Sequence, residues 1–167
     1  MRKQLGDRLP KFTEQERKLV QGSNDFYGMN HYTADYIKHL DSPPDPDNFN
    51  GNLETLKENK QGESIGPETQ SPWLRPNPPG FRKLINWISN RYGKPIIYVT
   101  ENGTSLKNEN DKTVDQILED DFRVDYYRGY INALAEAYTF DDVDVRGYMA
   151  WSLLEYVLNE SLFVCLC

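Results

Sequence analysis

Lys94-Pro95-Ile96-Ile97-Tyr98-Val99-Thr100-Glu101-Asn102-Gly103 decides what kind of sheet this chain builds. The run from Ile96 to Thr100 is continuous rather than alternating, the pattern of a parallel strand covered on both faces. Pro95 is tolerated as the first residue of such a strand, where no ladder donor is needed. Asn102-Gly103 ends it with a turn signal. Immediately upstream, Phe81, Leu84, Ile85 and Ile88 recur at helical spacing with charged Arg82 and Lys83 between them, and Gly93 closes the helix. Downstream, Asp120 or Asp121 caps a second helix in which Phe122, Tyr126, Tyr130, Leu134 and Tyr138 repeat every four residues.

Further out, Asp25-Phe26-Tyr27-Gly28-Met29-Asn30-His31-Tyr32 reads as a buried strand, although periodicity alone does not separate it from a helix. Val145-Arg146-Gly147-Tyr148-Met149-Ala150-Trp151 reads as another strand. Strands alternating with helices argue for right-handed βαβ units and a parallel sheet. Near the start, Phe12 to Gln21 is polar, with Thr13 three residues before Glu16, the signature of a capped short helix. Residues 41–80 differ in kind: they hold eight of the ten prolines and four glycines. Such a stretch supplies no core, so it is either a linker between two domains or an elaborate loop on a scaffold.

The 167 residues leave room for one core and exclude a multidomain machine. Hydrophobic residues make up 38%, and because Tyr and Gly each number 11, a count with Gly in place of Tyr gives the same figure. That is below the roughly 45–50% of a soluble globular domain. Aromatics at 13% argue against disorder all the same. The net charge of −7 comes from 19 basic and 26 acidic residues with no basic stripe, which disfavours nucleic-acid and anionic-membrane partners. Met1 to Asp7 is charged with no apolar run behind it, unlike a signal peptide. The longest apolar run, Leu162 to Cys167, falls well short of the ~20 residues of a membrane span. Cys165 and Cys167 make no disulfide framework, so a reducing, cytoplasmic setting is expected.

In a (β/α) barrel, polar residues at the carboxyl ends of strands face the active-site mouth. Three strand ends here present such groups: Asn30 and Tyr32, Glu101 and Asn102, and Trp151. A carboxylate, a phenol, an amide and an indole on one rim suit a sugar. Aromatic faces stack on pyranose C–H surfaces, amides and carboxylates grip hydroxyls, and a carboxylate can attack the anomeric carbon. On pattern alone a Glu before Asn-Gly fits a solvated turn as well as a catalyst. His31 and His39 read as structural or surface residues, the tyrosines of 126–138 as packing, and Glu119-Asp120-Asp121 and Asp141-Asp142 as helix capping and a solvated turn.

Tyr98-Val99-Thr100-Glu101-Asn102-Gly103 resembles the nucleophile motif of glycoside hydrolase family 1, the β-glucosidases. Three further segments fall in that family's order: Phe26-Tyr27-Gly28-Met29-Asn30-His31-Tyr32-Thr33, then Trp73-Leu74-Arg75-Pro76 with Pro79-Gly80-Phe81, then Arg146-Gly147-Tyr148-Met149-Ala150-Trp151-Ser152-Leu153-Leu154. The likeness runs from about Leu5 to about Glu155 and is closest to the fungal intracellular type. It implies an α/β fold, a partial (β/α)8 TIM barrel comprising roughly the last three strands with their helices. It implies that Glu101 is the nucleophile of a retaining β-glucosidase, forming a covalent glycosyl-enzyme, and that Tyr32 donates a hydrogen bond to it. Asn30 is then a substrate-binding residue close to the nucleophile, Trp151 platforms the glucose ring, and Trp73 lines the entrance where the leaving group sits. The resemblance implies no cofactor and no metal, with a β-glucoside or cello-oligosaccharide as substrate. Residues 41–80 become a loop over the barrel mouth.

The sequence also departs from the family. Retaining hydrolysis uses two carboxylates about 5–5.5 Å apart, and the family's acid/base Glu sits in an Asn-Glu-Pro motif. The Asn-Glu pairs here, Asn108-Glu109 and Asn159-Glu160, lack the Pro and a preceding strand, so no acid/base is expected in this chain. Residues 1–155 therefore read as the C-terminal part of a family barrel. After Glu155 the family pattern stops: Leu158 stands where a sugar-gripping Glu belongs, and residues 156–167 read as a non-family tail, translated intron in origin. A chain with this pattern is expected to associate with the remaining part of a barrel or with an intact homologue. The competing reading is a non-catalytic fragment or sugar-binding remnant.

Overall fold

The computed structural model describes residues 6–43, 47–48 and 50–152. Two sheets are formed among the described residues. Strands β1 (Tyr27–Asn30), β4 (Ile97–Asn102) and β5 (Val145–Ala150) make a three-stranded sheet, while β2 (Tyr36–His39) and β3 (Leu53–Leu56) make an antiparallel pair. The helices are α1 (Glu14–Val20), α2 (Pro78–Tyr92), α3 (Val114–Leu118) and α4 (Asp121–Phe140), with 3-10 turns at Gly6–Arg8 and Glu109–Asp111. The order β1-β4-β5 is also the order in the chain, and both neighbouring pairs are parallel. Between β1 and β4 the chain makes α2, and between β4 and β5 it makes α4, so each parallel step is a βαβ crossover. This is the arrangement of consecutive units in a barrel wall, which is the fold class expected.

The helix ends follow from local chemistry. Thr13 and Glu16 form the expected capping box, the Glu16 amide donating to Thr13 Oγ1 at 3.2 Å and the Thr13 amide to Glu16 Oε2 at 2.7 Å. Helix α2 begins at Pro78, three residues earlier than the apolar spacing suggests. Asn77 Oδ1 accepts from the Gly80 amide at 3.0 Å, and a proline in the first turn loses only a donor that would be unpaired anyway. Gly93, at φ 75°, provides the left-handed stop. Of the two candidate caps for α4, Asp120 takes the role, its Oδ1 accepting from the Arg123 amide at 3.2 Å.

The core lies between the sheet and α2 and α4. Ile97 and Val99 of β4, with Phe81 and Ile85 of α2 and Tyr130 and Ala137 of α4, are 0% exposed. Burying each large side chain contributes about 1.5–3 kcal/mol, so this layer holds the helices on the sheet. A continuous apolar strand implies cover on both faces, and here the structure differs. Alternation puts Tyr98 and Thr100 on the face opposite the helices, where both are only half-buried. Among the described residues that face carries Phe26, whose ring meets Tyr98 edge-on at 5.1 Å, and Gly147, where a Cβ would stand 2.6 Å from Tyr98. In a closed barrel the face opposite the helices is the interior one, and facing strands rather than helices cover it. No helix among the described residues is long and apolar enough to cross a membrane. The 156–167 tail lies outside the described residues.

Candidate active site

The pairing of β1 with β4 sets Asn30 opposite Glu101, after a register shift between Met29 and Asn30. The His31 amide then donates to the Glu101 carbonyl at 2.9 Å. This carries the chain past the strand end so that Tyr32 reaches back to the carboxylate: its Oη donates to Glu101 Oε2 at 2.6 Å. Burial raises the Tyr32 pKa well above the ordinary phenol range, and the hydrogen bond and negative charge of Glu101 raise it further. The phenol is therefore a lasting donor to the carboxylate. Asn30 is exposed beside this pair, with its Oδ1 accepting from Thr100 Oγ1 at 2.6 Å.

Trp73 joins the same place from the Pro-rich segment. Its indole lies edge-to-face on the Tyr32 ring, centroids 6.2 Å apart at 73°, and it is 54% exposed. The segment is pinned by its backbone, since the Trp73 carbonyl accepts from Thr33 Oγ1 at 3.1 Å and from Lys57 Nζ at 2.5 Å. Lys57 is itself paired with Asp35 at 2.5 Å, and the Arg75 amide donates to Thr33 Oγ1 at 3.0 Å. Trp151, half-buried just past β5, sits against the end of β4 through its amide, which donates to the Asn102 carbonyl at 2.8 Å. Its own carbonyl accepts from Tyr127 Oη at 3.2 Å and lies where a Cβ on Gly103 would stand, 1.8 Å away, so residue 103 has to be glycine. The structure thus brings Tyr32, Glu101 and Trp73 into one contact chain. Asn30 stands opposite Glu101, and Trp151 stands one strand over.

Asn102 is a correction. Its place at a strand end suggests a side chain on the rim beside Glu101, whereas it is 0% exposed and turned to the helix side. Register shifts at both strand pairings break the alternation around residues 99–102. There its Nδ2 donates to the His31 carbonyl and to Tyr126 Oη, both at 2.7 Å, and its Oδ1 accepts from Tyr148 Oη at 2.6 Å. Asp141 is a second correction: it is no free turn residue. Arg82 donates to both its oxygens at 2.6 and 2.8 Å and Asn86 donates at 2.7 Å, and these bonds hold its carboxyl down at about 2.

One charged group escapes the sequence reading. Arg123, 8% exposed, donates Nη2 to both oxygens of Glu109 at 2.8 Å, Nη1 to Asp120 Oδ2 at 2.7 Å, and Nε to the Thr104 carbonyl at 3.2 Å. This ties the loop after β4 to the start of α4. It also commits Glu109, one of the two Asn-Glu carboxylates, to a structural pair. The one sequence signal was the spacing of three between Asp120 and Arg123. His31 is buried between the rings of Phe81 and Tyr130, at 4.7 and 5.9 Å, and burial lowers its pKa to about 4. His39 is exposed, 3.2 Å from Asn52 Nδ2.

Among the described residues, no group of three metal-ligating side chains is assembled. A cleft of about 710 Å³ lies between α2 and α4, lined by Pro78, Trp87, Asn90, Gly129 and Asn132 among others, and none of the rim residues touches it. The chemistry is instead on the carboxyl ends of the parallel strands. It consists of one carboxylate with a phenol donor, flanked by exposed aromatic and amide groups.

A model of the family described as glycosyl hydrolase family 1 matches residues 1–161. β-Glucosidase 1B of Phanerodontia chrysosporium is 47% identical over 155 residues, covering 93% of this chain and 28% of that protein. β-Glucosidase 4 of Oryza sativa subsp. japonica is 43% identical over 156 residues, covering 93% of this chain and 32% of that one. Among solved structures, a β-glucosidase from the fungus Humicola insolens in complex with glucose superposes with a TM-score of 0.88 at 67% identity, over 92% of this chain and 32% of its own. The β-glucosidase of Trichoderma harzianum gives 0.88 at 63%, over 92% and 32%. The chain spans less than a third of the length of these relatives.

Proposed function

The chain belongs to glycosyl hydrolase family 1, and from that premise we propose that it carries the nucleophile half of a retaining β-glucosidase site. In this reading Glu101 attacks the anomeric carbon of a terminal β-D-glucosyl residue. The bond to the leaving oxygen breaks as an ester to Glu101 forms on the opposite face. Water then hydrolyses that ester with net retention. The observation that carries the reading is the 2.6 Å bond from Tyr32 Oη to Glu101 Oε2 at neighbouring strand ends. A charge-assisted donor fixes the orientation of the attacking carboxylate. Asn30 is within reach of a sugar hydroxyl, Trp151 offers a platform for the glucose ring, and Trp73 forms the wall where the leaving group departs. Residues 41–80 act as a loop over the mouth, supported by the pinning of Trp73 on Thr33 and Lys57.

The general acid/base falls to the part of a family barrel that this chain does not span, since Glu109 is held by Arg123. A β-glucoside or cello-oligosaccharide is the substrate class, and a reducing, cytoplasmic setting accords with only two cysteines. Loss of a general acid alone typically costs about 10²–10⁴ in rate. The reading is therefore tested in a full-length fungal family 1 barrel whose matching segment is replaced by residues 6–152. On an activated aryl β-glucoside, Glu101→Gln is expected to reduce turnover by at least roughly a thousandfold and to abolish a glycosyl adduct in intact-protein mass spectra. Undiminished turnover would overturn it.

A further inference from the structure

We propose that Asn102 is a positioning residue for the nucleophile, its buried amide locking the carboxyl ends of all three parallel strands around Glu101. The inference rests on Glu101 being the nucleophile and adds what holds it in place. Asn102 is fully buried, so it acts through its neighbours rather than on a substrate. Both hydrogens of its amide and its oxygen are engaged: Nδ2 with the His31 carbonyl and Tyr126 Oη, Oδ1 with Tyr148 Oη. Only one orientation of the amide satisfies all three partners. Those partners come from three elements: the end of β1, α4 and β5.

The consequence for Glu101 is geometric. The carbonyls of residues 101, 102 and 103 are each held by a different element. His31 N donates to the first at 2.9 Å, Trp151 N to the second at 2.8 Å, and Tyr126 Oη to the third at 2.9 Å. The Tyr126 hydroxyl that donates to Gly103 is the one that accepts from Asn102, so the amide also steadies the turn after the nucleophile. His31, whose carbonyl takes the Asn102 hydrogen, immediately precedes Tyr32. One side chain therefore sets the relative placement of the phenol and the carboxylate that meet at 2.6 Å. In a buried, fully satisfied network such bonds are persistent and mutually reinforcing. Misplacement of a reacting group by about 1 Å can cost ~10²-fold in rate.

The test uses the full-length barrel carrying residues 6–152. Asn102→Asp keeps size and acceptor but sets an oxygen against the His31 carbonyl; Tyr148→Phe removes a single bond and spares the fold if Asn102→Asp does not assemble. Both are expected to lower kcat by about ten- to a hundredfold with KM little changed and a native melting transition. Tyr138→Phe, the same deletion at an exposed position of α4, is expected to change neither. Folded Tyr148→Phe protein with unchanged kcat, or with the whole loss in KM, overturns the inference. If Glu101→Gln turns over normally in the same barrel, it is the nucleophile reading that fails instead.

Discussion

The Tyr32 phenol and the Glu101 carboxylate meet at 2.6 Å although 69 residues separate them in the chain. Two parallel strands and one crossover helix bring them together, and the register of β1 against β4 decides the distance. A hydrogen bond to a charged group contributes about 1.5–3 kcal/mol. Tyr32→Phe is therefore expected to lower kcat/KM by roughly ten- to a hundredfold in the full-length barrel, with the fold intact because the ring and its contact with Trp73 persist. Steady-state kinetics on an activated glucoside check it, and an unchanged kcat/KM counts against the phenol as a donor to the working carboxylate.

The loop after β4 hangs on Arg123, whose side chain and that of Glu109 are 10% and 12% exposed. Removing one partner of such a pair leaves a buried charge unpaired and costs about 3–5 kcal/mol. Arg123→Met is expected to lose about that much in urea unfolding of the full-length barrel. The double variant Arg123→Met/Glu109→Leu is expected to recover part of it, since the stranded carboxylate of Glu109 is gone while Asp120 stays. Equal losses in the single and double variants would show that stranding the Glu109 carboxylate costs nothing.

The parallel strands and their two crossover helices were legible because each carries a long apolar pattern: Ile97 and Val99 face Phe81, Ile85 and Tyr130 across one layer. The β2–β3 pair was not. Its strands have four residues each and are largely exposed, and only β3 lies inside the Pro-rich stretch, so they leave no periodicity to read. At the site, the rim residues stand out because an Asn, a Tyr, a Glu and a Trp fall at three strand ends. The inward turn of Asn102 is hidden, because register shifts break the alternation on which strand reading depends. The clasp of Arg82 on Asp141 spans 59 residues, a distance at which sequence spacing carries no signal.

Acid stability should show two separate windows. His31 has a folded pKa of about 4 against an ordinary 6.5, because burial opposes its charge. Its contribution is fully present above about pH 6.5 and is lost as pH falls toward 4, a loss on the order of 3 kcal/mol. Asp141 is depressed to about 2 from 3.8, so its contribution holds above 3.8 and is lost as pH falls toward 2. Urea midpoints of the full-length barrel, measured from pH 7 downward, are expected to decline first in the upper window and again in the lower. His31→Phe should flatten the first decline, and Arg82→Gln the second. A midpoint that is flat from pH 6.5 to 4 would refute the burial argument for His31.

The face of the sheet turned away from the helices is where the isolated chain and a complete barrel should behave oppositely. Phe26 there is 49% exposed, Tyr98 is half-covered, and β1 and β5 each pair on one side only among the described residues. Open apolar surface and unpaired edges promote association, so the purified chain is expected to bind a hydrophobic dye, to self-associate in sedimentation, and to unfold without a sharp transition. Phe26→Lys should lessen dye binding and association of the isolated chain, since it places a charge on exposed surface. Inside a full-length barrel, where facing strands enclose that surface, the same change should cost on the order of 3–5 kcal/mol. The opposite signs identify the face as barrel interior. A monomeric isolated chain that melts sharply, or a barrel indifferent to Phe26→Lys, would show that this face is not interior.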